Sequence, residues 1–299
     1  IVTGTSILSD GRWHFVSGVY EGPSTNAAKV YVDGVLESTG AITTPATPVQ
    51  EFTIGRFLDN SGYFAGLMDE LILYNRAITA DEVIKYYNKD LGRVAYWRMD
   101  NNWQDSSGSN NTGTATNAGF SAIAKVGAAA VSFNGTNTYV ANSSPAGLNL
   151  TTNFTIMGWI NPATSQMGGI IDRAQENASG WEIWYLSNQH LSYGHNWNRS
   201  VGSEGVTTQP GTVPLNTWTQ FAAVYTDKMV RLYINGWEVA SKVFNNNPVV
   251  DGSEWVEIGV NRPGADEYFN GLIDEISIYN RPLTAEEILD RFNAENGGG

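Results

Sequence analysis

The sequence predicts an all-β protein built as a two-sheet antiparallel jelly-roll sandwich. One complete copy follows the C-terminal half of another, and each ends in a short helix. Three observations predict this. Short apolar runs alternate with turn residues, as in β-sandwiches. The 299 residues include 32 Gly and only 16 % charged residues, which suits a β protein with many polar turns. The chain also repeats itself, and the repeat sets the domain organisation.

The repeat is clearest at the end of each copy. The segments GLMDELILYNRAITADEVIKYYN, residues 66–88, and GLIDEISIYNRPLTAEEILDRFN, residues 271–293, are identical at eleven of 23 positions. A shift of about 205 residues along the sequence also aligns, approximately, the predicted hairpin VYVDGVLES with the predicted hairpin LYINGWEVAS. We therefore predict a complete domain over residues 93–293. Residues 1–90 are predicted to be the C-terminal half of a second domain, with its front half absent.

The predicted strands of the complete copy follow in chain order, each bounded by turn residues. AVSF precedes an Asn-Gly turn, NFTIMGWINP alternates along its length, and WEIWYLS forms a hairpin with LSYGHNW. WTQFAAVY, MVRLYING, WEVASK and SEWVEIGV come next, and GLIDEISIY closes the domain. Asp-Gly and Asn-Gly between apolar runs are strong hairpin signals.

The end of each copy is predicted to be helical. Thr284 with Glu287, and Thr79 with Glu82, have the spacing of a capping box, in which each residue satisfies a free backbone N–H of the other. We expect each helix to seal one end of its sandwich.

Charge and composition exclude two kinds of partner. The chain has 17 Lys and Arg against 30 Asp and Glu, a net charge of −13, and no basic cluster of the kind that binds nucleic acid. No run approaches the ~20 apolar residues that cross a bilayer, so we expect no membrane insertion. The chain lacks cysteine and opens with IVTGTSILSD, without Met or an apolar leader, so we expect a mature product or a fragment.

Six segments resemble the bacterial type of laminin-G-like jelly-roll domains, in the concanavalin A-like lectin/glucanase superfamily. They are YWRMDNNWQDSSGSNNTG, AVSFNGTNTYV, NFTIMGWINP, NTWTQFAAVY, YINGWEV and NGLIDEISIYNRPLTAEEI, which span residues 93–293; residues 11–88 match the family's latter half. The resemblance implies an extracellular or cell-surface protein that works in recognition or adhesion, often of carbohydrate, and frequently a structural calcium ion. It does not fix the ligand, because this fold hosts lectins, hydrolases and spacers.

The closing strand carries an acidic residue among apolar ones. Strict alternation places Asp274 on the more apolar face of that strand, and Asp69 on the same face in the first copy. A buried carboxylate needs a compensating partner. Calcium, which prefers oxygen ligands, is one such partner. The alternative is a set of backbone N–H groups or Arg281.

The predicted Ca²⁺ site takes its ligands from both ends of the copy, which lie close together in a jelly roll. The candidate ligands are Asp100, Asp105, Asn134, the carbonyl of Gly135, and Asp274, with Asp69 in the first copy. We expect the site at Asp69 to be incomplete, because its other donors would belong to the front half.

A segment rich in aromatic and amide residues, WEIWYLSNQHLSYGHNWNR, is the candidate carbohydrate site. Sugar sites combine a flat aromatic ring with polar groups that bind hydroxyls. The residues that fit this description are Trp184, His195 and Trp197, together with Asp172 and Arg173 from IIDRAQ. The alternative is that these aromatic residues fill the core, and only the strand register decides between the two.

Catalysis is not expected. A glycosidase needs two carboxylates that flank the scissile bond. The central strand GWEIWYLS holds only Glu182, while Glu254 and Glu257 are three residues apart and so face opposite sides of a strand. The three histidines lack metal-ligand spacing, and no Gly-x-Ser-x-Gly elbow is present.

The sequence therefore predicts a non-catalytic extracellular array for binding or adhesion, directed to carbohydrate and stabilised by calcium, with a glycan or cell-surface protein as its partner. A structural repeat is the alternative, serving as a spacer, stalk or filament subunit whose partners are neighbouring copies of the same protein. A third possibility is an accessory module of a glycoside hydrolase.

Overall fold

The structure, a computed structural model, divides into two compact units, Ile1–Leu91 (unit 1) and Gly92–Gly299 (unit 2). The residues that it describes are 2–11, 13–42, 53–56, 62–88, 91–174, 180–196, 204–250, 252, 254–261 and 267–296.

Unit 1 consists of a three-stranded antiparallel sheet and one helix. Its elements are β1 (Val16–Tyr20), β2 (Ala27–Val32), β3 (Val35–Ala41) and α1 (Ala80–Asn88). Val19, Tyr31 and Val83 form a small core between this sheet and α1. Residues 66–74, predicted as a closing strand, are extended but unpaired, because the described part of unit 1 offers no strand beside them.

Unit 2 contains fifteen described strands and one helix. They are β4 (Arg93–Trp97), β5 (Thr114–Thr116), β6 (Gly119–Ser121), β7 (Ala130–Asn134), β8 (Tyr139–Asn142), β9 (Phe154–Pro162), β10 (Gly168–Ala174), β11 (Gly180–Leu186), β12 (His190–His195), β13 (Glu204–Thr207), β14 (Thr219–Thr226), β15 (Met229–Ile234), β16 (Trp237–Val243), β17 (Val256–Ile258), β18 (Asn270–Tyr279) and α2 (Ala285–Asn296).

These strands form two large antiparallel sheets, which confirms the predicted two-sheet sandwich. The seven-stranded sheet has the order β13-β12-β11-β10-β17-β8-β5. The eight-stranded sheet has the order β16-β15-β14-β9-β18-β7-β6, and β4 pairs with β18. Large aromatic side chains from both sheets fill the space between them; Phe154 of the eight-stranded sheet, for example, packs against Trp181 of the seven-stranded sheet with ring centroids 6.2 Å apart.

Helix α2 covers the outer face of the eight-stranded sheet. Ile288 of the helix joins a second apolar cluster with Met157, Val224 and Tyr279 of the strands. Trp159, on the same outer face, stacks on Phe292 at 5.7 Å. Within the described ranges, no helix is long and apolar enough to cross a membrane.

A β-bulge in β18 changes which side chains face the core. Two residues, Glu275 and Ile276, lie opposite the single residue Gly158 of β9, and Glu275 takes a positive φ of 53°. Ile273 and Ile276 therefore both point into the sandwich, whereas Asp274, which pairs with Trp159, faces the helix side. The expectation from strict alternation, that Asp274 shares the face of Ile276, is wrong because the bulge adds one residue.

Both predicted capping boxes are formed. The Thr284 hydroxyl accepts a hydrogen bond from the Glu287 N–H at 3.2 Å, and the Glu287 carboxylate accepts one from the Thr284 N–H at 2.8 Å. Thr79 and Glu82 make the same two bonds with the same lengths. Each cap therefore satisfies two N–H groups that the first helical turn leaves free.

Replacing Thr284 with Ala is expected to lower the free energy of unfolding of unit 2 by about 1 kcal/mol, because one N-cap bond is lost. Thr284→Ser retains the hydroxyl and serves as the matched control. Urea unfolding of both variants is the measurement, and equal losses for Ala and Ser would contradict a role for the cap.

Candidate functional site

The outer face of the seven-stranded sheet carries three neighbouring carboxylates. Asp172 of β10 pairs directly with Glu182 of β11 on one side and with Glu257 of β17 on the other. Directly opposed residues on antiparallel strands have Cβ atoms about 5 Å apart. The neighbouring positions Ile171 and Ile183 belong to the core, so the carboxylates project from the other face. All three are buried.

An indole and an amide extend this polar row. Trp184 lies two residues after Glu182 and thus on the same face, with Gly169 and Ser192 as its cross-strand neighbours. The Asn261 amide Nδ2 donates a hydrogen bond of 3.0 Å to the Glu182 carboxylate. The name "acidic face" is used below for Asp172, Glu182, Trp184, Glu257 and Asn261.

Gly169 allows the chain around Asn261 to approach the sheet. A Cβ at position 169 would overlap the backbone of Val260 and Asn261, so only glycine fits there without a shift. This close approach brings the Asn261 amide to Glu182.

Two buried polar atoms of the acidic face have no hydrogen-bond partner in the described part of the chain. They are the carbonyl oxygen Oδ1 of Asn261 and the indole nitrogen Nε1 of Trp184. Buried polar groups in folded proteins are almost always hydrogen-bonded, so an acceptor and a donor of this kind indicate a place where a polar ligand or water binds.

The structure separates the residues that the sequence grouped as a carbohydrate site. Asp172 and Trp184 lie together on the acidic face. Arg173 pairs with Trp181 and so faces the core side, where its guanidinium donates to the Asn149 side chain at 2.6 Å. Trp197 lies outside the described residues.

His195 is a core residue. It also pairs with Trp181, and its ring lies 4.9 Å from the ring of Phe244, edge to face. Its Nε2 is 3.1 Å from the Asn246 carbonyl oxygen, and burial lowers the pKa of the imidazole. The structure does not bring His195 beside Trp184, because the two side chains project from opposite faces of the sheet.

Sequence reasoning did not include Glu182, Glu257 or Asn261 among the carbohydrate-site residues. The three lie on different strands or loops, and only the hydrogen-bond register brings them beside Asp172. The sequence offered one signal for them: an acidic residue that stands alone within an otherwise apolar strand, as Glu182 does, needs a compensating partner when it is buried.

The predicted calcium ligands are separate hydrogen-bond acceptors in this structure. Asp105 accepts bonds from the N–H groups of Tyr96, Ser107 and Asn111. Asp100 accepts bonds from the Ala128 and Ala129 N–H groups.

Asn134 and Asp274 are engaged in the same way. The Asn134 Oδ1 accepts bonds from the Thr136 and Asn137 N–H groups, within the turn that contains Gly135. Asp274 accepts bonds from the N–H groups of Lys125, Val126 and Glu275, which is the backbone alternative considered above.

In unit 1, Asp69 is exposed and bonds to the next backbone N–H. Nowhere in the described ranges do three or more His, Asp or Glu residues gather to hold a metal. This donor arrangement does not fit a calcium ion, and the calcium site stays a prediction.

Comparison with solved structures shows the same sandwich in other proteins. Domain 4 of AbnA, a GH43 extracellular arabinanase from Geobacillus stearothermophilus solved with arabinotriose, is similar with a TM-score of 0.54 and 22 % identity, over 66 % of this chain and 97 % of that domain. The binding domain of Paraclostridial Mosquitocidal Protein 1 is similar with a TM-score of 0.58 and 17 % identity, over 69 % of this chain and 53 % of that one.

A botulinum neurotoxin type C structure, described as dependent on two ganglioside molecules for cell entry, gives a TM-score of 0.57 and 19 % identity, over 70 % of this chain and 53 % of that one. This chain thus spans about half the length of the toxin domains. At these identities the similarity shows the fold alone.

The family comparison covers most of the sequence. The Laminin_G_3 family model, described as concanavalin A-like lectin/glucanases superfamily, matches residues 1–84 and 134–289. Both matched regions contain the closing segment and the capping box of a copy. The chain therefore belongs to the laminin-G-like family of the concanavalin A-like lectin/glucanase superfamily.

Proposed function

We propose that unit 2 is a non-catalytic glycan-binding module of a secreted or surface-displayed protein, with the acidic face as its binding site. The observation that carries the proposal is the row Asp172, Glu182 and Glu257 on the outer side of a sheet, with an indole and an amide beside it. Carboxylates and amides bind sugar hydroxyls, and an aromatic ring stacks on the C–H face of a sugar.

Two further points support glycan binding. The Asn261 Oδ1 and the Trp184 Nε1 supply an acceptor and a donor that no described residue uses. The similar structures include a domain solved with arabinotriose and toxin binding domains described with gangliosides or a sialylated ligand.

An accessory module of a glycoside hydrolase is the second candidate. The similarity to AbnA covers nearly the whole of a domain that is one part of an extracellular arabinanase. This candidate requires the same binding site and differs only in the attached partner.

The test is binding of the full chain to a glycan array that includes arabino-oligosaccharides and ganglioside glycans, followed by calorimetry on the strongest ligand. Asp172→Asn and Glu182→Gln are expected to lower affinity at least tenfold, because each removes charge-assisted bonds to hydroxyls. Both changes keep the side-chain shape. Glu238→Gln, on the exposed strand β16, is the control and leaves affinity unchanged.

Two outcomes would contradict the proposal. Silence across the array would favour the spacer or stalk alternative. Cleavage of the bound oligosaccharide, followed by chromatography, would show catalysis and overturn the non-catalytic part.

A further inference from the structure

Unit 1 repeats the architecture of one edge of the sandwich in unit 2. In the repeat register, β1, β2 and β3 correspond to β14, β15 and β16, and residues 66–74 correspond to β18 up to Tyr279. The cluster of Val19, Tyr31 and Val83 corresponds to Val224, Tyr233 and Ile288, which form the helix-side cluster in unit 2.

In unit 2, a single strand separates the two corresponding elements. Strand β9 pairs antiparallel with β14 from Phe154 to Ile160 and with β18 on its other edge. Strand β9 therefore supplies backbone hydrogen bonds to both neighbours and apolar side chains to the core.

In unit 1, a groove occupies the corresponding position. It encloses about 1120 Å³ and is lined mainly by residues 13–22, which include β1, and by residues 67–78. The described residues place no strand between β1 and the segment 66–74. The edges of both elements thus keep unpaired backbone groups, which favour the addition of a strand.

Exposure identifies the face that this groove leaves uncovered. Met68, Leu71 and Leu73 are 49 %, 65 % and 83 % exposed. The equivalent residues of unit 2, Ile273, Ile276 and Ile278, are each 0 % exposed. A contiguous apolar surface of this kind marks an interaction site, and the second copy of the repeat shows what covers it.

One residue of the segment 66–74 already has the backbone angle that its equivalent has in the paired strand. Glu70 has a φ of 51°, and its equivalent Glu275, at the bulge in β18, has a φ of 53°. A positive φ is uncommon in a residue with a side chain. Glu70 therefore has the backbone angle of the bulge residue although no described strand pairs with its segment, and a strand added there meets the same local backbone conformation.

We propose that the groove between β1 and residues 66–74 binds one apolar β-strand, antiparallel to both edges, from a polypeptide with the front-half sequence of a laminin-G-like copy. This is β-strand addition, in which main-chain bonds give affinity and alternate side chains give specificity. This chain contains one example of such a strand: β9, with the sequence FTIMGWINP.

The bulge sets a specific requirement on the bound strand. Gly158 of β9 lies opposite the bulge, where a Cβ would overlap the Ile276 Cδ1 atom. Leu71 is the residue equivalent to Ile276. A strand that fills the groove of unit 1 is therefore expected to favour glycine at the position opposite Glu70 and Leu71, where the backbone also approaches to 3.3 Å in unit 2.

The test is the binding of a fluorescein-labelled peptide with the sequence of residues 151–163 to the full chain, measured by fluorescence anisotropy. Saturable binding is expected, together with slower amide hydrogen exchange in residues 16–20 and 67–74. The peptide with Gly158→Val is expected to bind at least tenfold more weakly, because its side chain meets the bulge.

Leu71→Asp in the full chain is expected to weaken binding at least tenfold, since it places a charge in the groove. Because Leu71 is exposed, this change leaves the fold intact. Val243→Asp on the exposed strand β16 is the control for a charge added elsewhere. Equal binding by the Leu71→Asp chain, or no protection of residues 67–74, would overturn the proposal. A second copy of the chain would be the occupant instead if the chain associates with itself, if Leu71→Asp abolishes that association, and if the peptide does not compete with it.

Discussion

Replacing Ile276 with Ala is expected to lower the free energy of unfolding of unit 2 by about 2–5 kcal/mol, whereas Leu71→Ala in unit 1 changes stability by less than about 0.5 kcal/mol. The two residues occupy equivalent positions of the repeat. Ile276 is fully buried against the opposite sheet, so its loss removes apolar contacts and leaves a cavity. Leu71 is 65 % exposed and has little burial to lose.

Urea unfolding of each single variant measures this contrast. The two units unfold as separate transitions if they are independent, so the midpoint and slope of each transition are fitted separately. Tryptophan fluorescence reports unit 2, whose core contains Trp97 and Trp181. A large loss for Leu71→Ala would show that the segment 66–74 is covered in the folded protein, and would contradict the exposed groove.

Regular features with local causes could be predicted from the sequence. The capping box needs only Thr284 and Glu287 at the right spacing, and both of its bonds are present. Hairpins at Asp33-Gly34 and Asn235-Gly236 follow from residues that accept a positive φ, as all four do. Each of these features depends on a few neighbouring residues.

The bulge in β18 could not be predicted, because alternation assumes one residue per position on the neighbouring strand. The inserted residue at Glu275 reverses the alternation after Asp274 and moves Asp274 to the helix side. Its equivalent, Glu70, takes a similar positive φ in a segment beside which the described residues place no strand. The shared sequence Gly-Leu-x-Asp-Glu is therefore a local cause of this conformation. The repeat showed that the sequence is shared, but it did not indicate a positive φ there.

Part of the acidic face could be predicted from the sequence. Asp172 and Arg173 are adjacent in a strand, so the period of two already places them on opposite faces. The pairing of Asp172 with Glu182 and Glu257 depends on the register between three strands, and residues 172 and 257 are far apart in the chain. Register follows from hydrogen bonds and turn geometry across the whole sheet, which a single sequence does not specify.

Unit 2 is expected to lose stability as the pH rises from 5 to 8. Burial raises the pKa of Asp274 to about 7 and that of Glu275 to about 7. Both carboxyls thus bind protons more tightly in the folded state than in the unfolded state, where they titrate near pH 4. The folded state carries more protons between these values, so the free energy of unfolding falls as the pH rises through 7. The expected loss is about 2–5 kcal/mol for the pair.

The surroundings of the two carboxyls limit the size of this effect. N–H groups of Lys125 and Val126 donate to Asp274 and favour its ionised form, while the Tyr96 hydroxyl donates to Glu275. Arg98 lowers the pKa of Glu275, and the nearby Glu295 and Asp100 raise it. The net direction remains upward because burial is the largest influence on both groups.

Asp274→Asn and Glu275→Gln separate this effect from other titrations. Buried His195 works in the opposite direction: burial lowers its pKa, so its contribution to stability is lost as the pH falls below about 6.5. Each amide variant removes one carboxyl and leaves His195 in place, so the difference between wild-type and variant curves isolates that carboxyl. Urea unfolding at pH 5, 6, 7 and 8 is the measurement. Parallel curves for wild type and both variants would show that neither carboxyl takes up a proton on folding, and that the N–H donors at Asp274 outweigh its burial.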